Sequence, residues 1–248
     1  MVRGSLALCA GLLACALTAQ DVRINEVLCG HRWDDADRTD ALELYNAGRS
    51  AVDLDGFTIA LNGAAHRIAG PLIIAAHGRI ALWCDRHPER GNDHLDLKLP
   101  RAGGSALLIA PDHVRVLDLF TWPALPPGVS MGRVPDGSRT WGYFEQAGIG
   151  APNDPASARR RLLHAPRMRT EADRIVLFAD PGATIHYTTN GTPPEVNAPA
   201  YDGAFALPAG GVLRAKAFSV DGIPSDELVH TEARPPSAIA IKSSMLVG

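Results

Sequence analysis

The sequence predicts an all-β protein built from two β-sandwich domains. Short runs alternate apolar and polar residues with a period of two, and Gly, Pro, Asp or Asn bounds each run. Gly and Pro are abundant, at 24 and 19 residues, without a fixed repeat, which is typical of many strands joined by turns. The first half of the chain contains no apolar stripe with helical spacing.

Length and composition fit this fold class. A chain of 248 residues accommodates two modest domains, and its 46% apolar fraction can fill two cores. The formal net charge of −3 gives no general attraction to nucleic acids or acidic membranes. We therefore expect no nucleic-acid partner.

Residues 1–20 have the pattern of a secretory signal peptide. Arg3 supplies a positive start, Leu6 to Leu17 form an apolar run, and Ala16 to Ala19 offers small residues for cleavage. The run is shorter than the roughly 20 apolar residues that a membrane-spanning helix needs. A buried N-terminal helix is the alternative. The pattern predicts a secreted or extracytoplasmic protein.

A second form of export remains open at Cys15. The stretch from Leu12 to Cys15 resembles the lipobox of bacterial lipoproteins, in which the cysteine is acylated. A lipid there would attach the chain to a membrane surface without spanning it. Leu13 is not the favoured residue at its position in that motif, so plain secretion is the preferred interpretation. Membrane contact is expected only in the lipid-anchored form.

Cys29 and Cys84 remain if the signal is removed. Export favours oxidation, and both residues lie at the ends of predicted strands. The sequence therefore allows a disulfide between them. Two buried thiols, which behave as small apolar groups, are the alternative.

Residues 21–153 make up the first predicted sandwich. Turn dipeptides such as Asp55-Gly56 and Asn62-Gly63 separate the runs, because Gly adopts a positive φ at no steric cost. The predicted strands are Val22–Leu28, Ala41–Asn46, Phe57–Leu61, Arg79–Cys84, Ser105–Ala110 and Val114–Phe120.

An ordered set of motifs in this segment resembles the lamin tail domain family. Ile24–Val27 is similar to the opening strand of that family, and Gly132–Gly137 to its closing motif. Asp40–Asn46 is similar to its WIELYN strand, with Ala41 in place of Trp. The resemblance implies an immunoglobulin-like, non-catalytic sandwich. Its structural motif residues here are Asn25, Glu26, Glu43, Gly132, Arg133, Pro135, Asp136 and Gly137.

Three of these motif residues suggest an ion pair. Glu43 lies between Leu42 and Leu44, so its side chain points away from their face. Arginine binds a carboxylate in a bidentate, orienting geometry. We expect Arg133 to pair with Glu26 or Glu43 and to stabilise the fold rather than react.

Residues 154–173 are predicted to be a basic, proline-containing linker. A phosphate- or anion-binding patch is the alternative interpretation. No aromatic residue interleaves the arginines, as a stacking platform would require, so a solvated linker is preferred. The arginines in and next to this segment are Arg159, Arg160, Arg161, Arg167, Arg169 and Arg174.

Residues 174–234 form the second predicted sandwich, and residues 235–248 are interpreted as a tail. Asn190-Gly191 is a turn dipeptide, and Pro193-Pro194 cannot donate to a central ladder. The predicted strands are Arg174–Ala179, Thr184–Thr189 and Val212–Val220.

Gly182–Pro193 and Leu213–Phe218 resemble the C-terminal domain of chitobiases and β-hexosaminidases. The resemblance implies a small immunoglobulin-like module that accompanies catalytic domains without performing catalysis. Tyr187 and Gly191 are its structural motif residues in this chain.

The sequence contains no recognisable catalytic constellation. Gly-x-Ser-x-Gly, the P-loop and His-Glu-x-x-His are all missing. The loop Asp85–Asp96 is rich in His and acidic residues but lacks the paired spacing of a metal site. We expect no enzymatic activity, no cofactor and no bound metal.

Trp33 and Trp122 are the candidates for glycan contact, because an exposed aromatic ring offers a flat face to a sugar ring. Both lie next to turn-forming or acidic residues. Partial burial at the ends of the sandwich is the alternative for each.

The leading hypothesis is a non-catalytic secreted or cell-surface protein for adhesion, scaffolding or ligand presentation. Its partner would be a cell-surface protein or a polysaccharide. A carbohydrate-binding accessory module is the second hypothesis. The third is a remnant or partner of a larger surface protein that carries a spore-coat-type kinase domain.

Overall fold

The computed structural model describes residues 21–32 and 38–233. The all-β prediction is confirmed, since the described residues form eighteen strands and one 3-10 turn, Pro88–Arg90. By contacts the chain divides into two compact units, Met1–Arg161 and Leu162–Gly248. No helix among the described residues has the length and apolar character needed to cross a membrane.

Four of the sequence predictions concern residues outside the described ranges. They are the signal peptide at residues 1–20, lipidation at Cys15, glycan contact at Trp33 and the tail at residues 235–248. They stay predictions.

The larger sheet of the first unit has five antiparallel strands in the order β11-β10-β1-β2-β7. The central strand is β1, which pairs with β2 on one edge and with β10 on the other. Its strands are β1 (Val22–Arg32), β2 (Arg38–Asn46), β7 (Arg79–Trp83), β10 (Ser130–Arg133) and β11 (Trp141–Phe144).

A second sheet of four antiparallel strands has the order β5-β4-β8-β9, and a short pair, β3-β6, lies outside both sheets. Alternate residues are buried, as in Ile59 and Leu61 of β4 and in Ala106 and Leu108 of β8. The remaining strands of the unit are β3 (Val52–Asp53), β4 (Thr58–Leu61), β5 (Ala64–Arg67), β6 (Ile73–Ile74), β8 (Gly103–Ile109) and β9 (Val116–Pro123).

The core of the first unit is mostly aliphatic, and Phe57, Phe120 and Trp122 are also buried. Ile24, Leu28, Leu42, Leu44 and Ile59 are fully buried. Each such side chain contributes about 2 kcal/mol through removal from water. The period of two in the sequence therefore gives a core-facing side to each strand.

A β-bulge in β1 interrupts this apolar pattern. Ile24 is opposite Leu44 and Glu26 is opposite Glu43, so Asn25 is the extra residue. A bulge re-aims side chains that regular alternation would send to the other face. It therefore places Glu26 directly across from Glu43, with Asn25 beside them.

Small residues flank the two glutamates along the same row of the sheet. Glu43 is opposite Ala81, Glu26 is opposite Gly132, and Gly132 is opposite Gly142. A Cβ added to Gly132 would lie 2.6 Å from Nδ2 of Asn153. The row thus leaves room for the chain segment that follows β11.

The second unit contains two hydrogen-bonded strand sets, β13-β14 and β15-β16-β18, and a two-residue pair, β12-β17. Its core is formed by Ile175, Leu177, Ile185, Leu207, Leu213 and Ala215. The strands are β12 (Arg161–Leu162), β13 (Arg167–Glu171), β14 (Arg174–Phe178), β15 (Thr184–Thr188), β16 (Val212–Phe218), β17 (Gly222–Ile223) and β18 (Leu228–Thr231).

The segment assigned to the linker differs from expectation. Arg167–Glu171 is a strand, β13, paired in register with β14. Its sequence, Arg-Met-Arg-Thr-Glu, has a single apolar residue, so alternation alone gave a weak signal. The turn at Ala172 and Asp173, both with positive φ, folds it back as a hairpin.

We expect the Gly132→Ala substitution to destabilise the first unit by about 1–3 kcal/mol, because its Cβ would displace Asn153 from the sheet. All four tryptophans, Trp33, Trp83, Trp122 and Trp141, precede Leu162, where the second unit begins. Thermal unfolding followed by tryptophan fluorescence therefore isolates the first unit.

The matched control is Gly148→Ala, whose Cβ would be no closer than 3.6 Å to a neighbour. This control should melt near the wild-type temperature. Equal melting of the two variants would contradict the packing argument.

Candidate functional site

The bulge and the turn after β10 bring five polar residues together in a buried polar cluster: Asn25, Glu26, Glu43, Asp136 and Asn153. The side-chain amide of Asn25 donates to Oε1 of Glu43 and to Oδ1 of Asp136, each at 2.8 Å. The Oδ1 atom of Asn25 accepts the backbone N–H of Gly137 at 2.9 Å. Asn25 therefore joins two strands to the turn.

The two glutamates hold the segment that covers the cluster. The N–H of Gly148 donates to Oε1 of Glu26 at 3.1 Å, and the N–H of Gly150 donates to Oε2 of Glu43 at 2.7 Å. Both carboxyl groups are fully buried. Their accepting oxygens thus satisfy main-chain donors of a loop that has no strand partner of its own.

Asn153 closes the same segment onto the turn. Its side-chain amide donates to the carbonyl of Arg133 at 3.0 Å, and its backbone N–H donates to Oδ1 of Asp136 at 3.2 Å. Asp136 also forms an ion pair with Arg79 of β7. The cluster therefore connects β1, β2, β7, the turn and the covering segment.

Burial raises the pKa of both glutamates. The pKa of Glu43 rises to about 7, against the lowering effect of the hydrogen bonds from Asn25 and Gly150; the charge of Glu26 raises it further, and Arg79 lowers it. The pKa of Glu26 is raised by burial and by Asp136. Burial therefore favours the neutral form of both carboxyl groups, and the pKa of Glu43 lies near neutral pH.

Two acceptor atoms in the cluster, Oε2 of Glu26 and Oδ1 of Asn153, are buried without a hydrogen-bond partner among the described residues. The Ser130 hydroxyl is close enough to Glu26 to lower its pKa but is not aligned for a hydrogen bond. A neutral Glu26 carries its proton as a donor, so protonation relieves part of this cost.

The ion pair expected between Arg133 and a glutamate is wrong. Arg133 pairs instead with Asp118 of β9, its Nη2 lying 3.1 Å from Oδ1 and 2.9 Å from Oδ2. The glutamates are occupied by the loop N–H groups. Arg133 follows Glu26's partner Gly132 in β10, so its side chain points to the other face of the sheet.

Besides Asp118, Arg133 contacts two backbone carbonyls and an aromatic ring on that face. Its Nε donates to the carbonyl of Ile24 at 2.8 Å, and its Nη1 donates to the carbonyl of Ser138. Its guanidinium lies 4.2 Å from the ring centroid of Trp141. Asp118 also accepts the N–H of Ile24 at 2.8 Å. The pair therefore links β9 of one sheet to β1 and β10 of the other.

The rest of the closing motif forms a tight turn. The Val134–Pro135 peptide is cis, and Gly137 has a φ of 68°. A Cβ on Gly137 would lie 2.8 Å from the ring of Tyr45, and its carbonyl accepts from Arg23 at 2.8 Å. Gly is required here because the φ is positive and because the Tyr45 ring leaves no room for a Cβ.

The two motif residues of the second unit are also structural in their contacts. Tyr187 stacks on Phe205, with ring centroids 4.6 Å apart, and packs on the core. Gly191 has a φ of 81°, and its N–H donates to the carbonyl of Val212 at 2.9 Å. It forms the turn that the Asn-Gly dipeptide predicted.

Cys29 and Cys84 are free, buried thiols, so the disulfide that the sequence allowed is not present. Cys29 lies in β1 next to Leu28, and Cys84 follows Trp83 at the end of β7. Leu28 and Trp83 both pair with Ala41, so β2 runs between the strands that carry the two cysteines. Burial raises the pKa of Cys29 to about 12 and raises that of Cys84 as well.

Trp122 is not a glycan contact. Its side chain is 2% exposed, and its Nε1 donates to the carbonyl of Pro100 at 3.2 Å. Its ring packs on Phe120, with centroids 5.8 Å apart. The alternation of β9 turns this tryptophan inward.

In the acidic loop after β7, the carboxylate of Asp85 binds groups of the same loop. Asp85 accepts the N–H of His87 at 3.0 Å and contacts Nδ1 of His94 at 2.8 Å and Arg90 at 3.2 Å. Within residues 21–32 and 38–233, no group of three or more His, Cys, Asp or Glu side chains is arranged to hold a metal ion.

Comparison with known proteins bears on the second unit. Residues 175–231 match the family described as Fn3 associated. The match runs from β14 to β18 and indicates a fibronectin type III or immunoglobulin-like associated domain. The search of curated proteins found no match to the chain. The lamin tail and chitobiase resemblances stay predictions.

Sequence reasoning found Asn25, Glu26, Glu43, Arg133 and Asp136. It did not single out Asn153, and it missed two main partners, Asp118 of Arg133 and Arg79 of Asp136. Asp118 is a lone acidic residue in the apolar stretch Val116–Pro123, which was the available signal. Arg79 is the first residue of β7. Nothing in the sequence indicated its pairing with Asp136, because that pairing depends on two turns far apart in sequence.

We expect the stability of the first unit to fall between pH 5 and pH 8. A carboxyl whose folded pKa exceeds its unfolded value binds its proton more tightly when folded, so ionisation favours unfolding. For Glu43, a pKa of about 7 against an ordinary value of 4.5 corresponds to roughly 3 kcal/mol at most. Denaturant unfolding followed by tryptophan fluorescence measures it.

Glu43→Gln should flatten this pH dependence, whereas the exposed Glu145→Gln should retain the wild-type slope. A stability that rises from pH 5 to pH 8 in the wild type would contradict the assignment.

The Arg133→Lys substitution should cost about 3 kcal/mol, because an ammonium cannot form the planar set of contacts to Asp118, Ile24 and Ser138. The denaturant midpoint by tryptophan fluorescence reports the loss. Arg139→Lys, at an exposed position of the same unit, is the control. The assigned role would be refuted if the two variants unfolded alike.

Proposed function

We propose that this protein is a non-catalytic extracytoplasmic binding protein that serves adhesion, scaffolding or ligand presentation. The observation that carries the proposal is the way its motif residues are used. Glu26 and Glu43 are fully buried and accept loop N–H groups, and Arg133 is bound to Asp118 and two carbonyls. These groups act on the chain itself.

The second unit supports the same proposal. Its match to the Fn3 associated family fits a non-catalytic accessory domain. Sandwich domains present ligands through their surfaces and loops, while the sheets supply a rigid scaffold. The export pattern of residues 1–20 supports a location outside the cytoplasm.

Carbohydrate binding is the second candidate function. The observation that favours it is an exposed aromatic ring, Phe178, beside a cavity on the second unit. The relation to a larger protein with a spore-coat-type kinase domain stays a hypothesis from sequence.

The test is export followed by surface retention. Fractionation of the producing cells should place the natural chain outside the cytoplasm. Its intact mass should start after the signal or carry a lipid on Cys15. The purified protein should bind saturably to the surface of those cells.

A chain that lacks residues 1–20 is the export control and should stay in the cytoplasm. Retention of the natural, full-length chain in the cytoplasm would refute the proposal, as would the absence of saturable surface binding.

A further inference from the structure

The outer face of the β13–β14 hairpin gathers arginines around an aromatic ring. Arg167 is directly opposite Phe178, and Arg169 is opposite Val176, so these side chains share one face. The other face carries Ile175 and Leu177 into the core. The arginines therefore point to solvent.

Strand pairing supplies the aromatic residue that the sequence did not interleave with the arginines. The guanidinium of Arg169 lies 4.8 Å from the ring centroid of Phe178. Phe178 is nevertheless 36% exposed. The ring thus contacts Arg169 and keeps part of its surface accessible to solvent.

An open cavity of about 330 Å³ lies beside this ring, at the lower end of the range for small-molecule sites. We call it the Arg–Phe cavity. It is lined by His164, Ala165, Arg167, Phe178, Ala179 and Asp180. All six residues belong to the second unit.

The cavity is lined by a cationic side chain, an imidazole and a carboxylate. Asp180 accepts the N–H of His164 at 2.9 Å and contacts its Nδ1 at 3.1 Å, which orients the ring while the His164 side chain stays 88% exposed. The Arg167 guanidinium has no hydrogen bond or ion pair with any residue that the structure describes. An unpaired cation, an oriented imidazole and a carboxylate therefore surround one apolar ring.

We infer that the Arg–Phe cavity binds a uronic-acid residue of an acidic polysaccharide. Arg167 would pair with the sugar carboxylate in its bidentate geometry. The Phe178 ring would contact the apolar face of the pyranose, and His164 and Asp180 would bind its hydroxyl groups. The inference rests on the proposed extracytoplasmic binding function and names its ligand class.

A nucleic acid fits this cavity less well. Asp180 would repel closely spaced phosphates, and a single partly covered ring offers no run of stacking platforms. A sugar that carries one carboxylate among several hydroxyl groups matches the mixed lining.

The test is titration calorimetry of the full chain with polygalacturonate. The methyl-esterified polymer is the matched ligand, since it keeps the rings and loses the charge. Wild-type protein should bind the acid form and bind the ester about tenfold more weakly, the loss expected for one charge-assisted hydrogen bond.

Two variants locate the site. Arg167→Gln and Phe178→Ala should each weaken binding of the acid polymer, by about tenfold and several-fold respectively. Arg139→Gln removes the same charge at an exposed position of the first unit and should stay within twofold. Circular dichroism verifies that each variant is folded, and Phe178→Leu, which keeps apolar bulk without the ring, replaces Phe178→Ala if that protein unfolds.

Three results would overturn the inference. They are no binding of polygalacturonate by the wild type, equal affinities of Arg167→Gln and Arg139→Gln, or binding of inorganic polyphosphate or single-stranded DNA as tight as that of polygalacturonate. If the chain is still exported and retained on cells, only the ligand class fails. Failure of export or retention removes the proposed function itself.

Discussion

Burial of two adjacent glutamates is the constraint on which the first unit depends. Glu26 and Glu43 lie side by side in the sheet because Asn25 is a bulge residue. Buried carboxyls without donors cost several kcal/mol, so the chain must bring donors to them. The N–H groups of Gly148 and Gly150 and the amide of Asn25 supply donors to three of the four carboxyl oxygens. A loop without strand pairing is thereby fixed to the sheet.

Buried polar side chains act on both faces of the sheet. On one face the glutamates hold the covering segment. On the other face Arg133 bonds Asp118 and stacks on Trp141, which in turn stacks on Phe120 with centroids 4.1 Å apart. The guanidinium joins the two sheets by directional bonds, whereas aliphatic packing joins them without fixed register. Polar residues therefore set the alignment of a core that apolar residues stabilise.

The sequence predicted the strands that alternate clearly, such as β7 and β16, because alternation is a local signal. It also singled out Asn25, Glu26, Glu43 and the turn after Gly132. It missed β10 and β11, which are short and contain glycine. Trp122 and Cys84 are buried, which their residue types did not indicate, because a residue type does not tell which face of a strand turns inward.

The sequence by itself determined an all-β chain and the residues that brace its turns, since period, turn chemistry and residue type are local properties. Tertiary structure decided which of them meet. It paired Arg133 with Asp118, placed β2 between the strands that carry the two cysteines, and set Phe178 opposite Arg167 in a hairpin whose first strand, β13, falls in the predicted linker. The physical reason is that a bulge and strand register, which local composition does not encode, decide which side chains share a face.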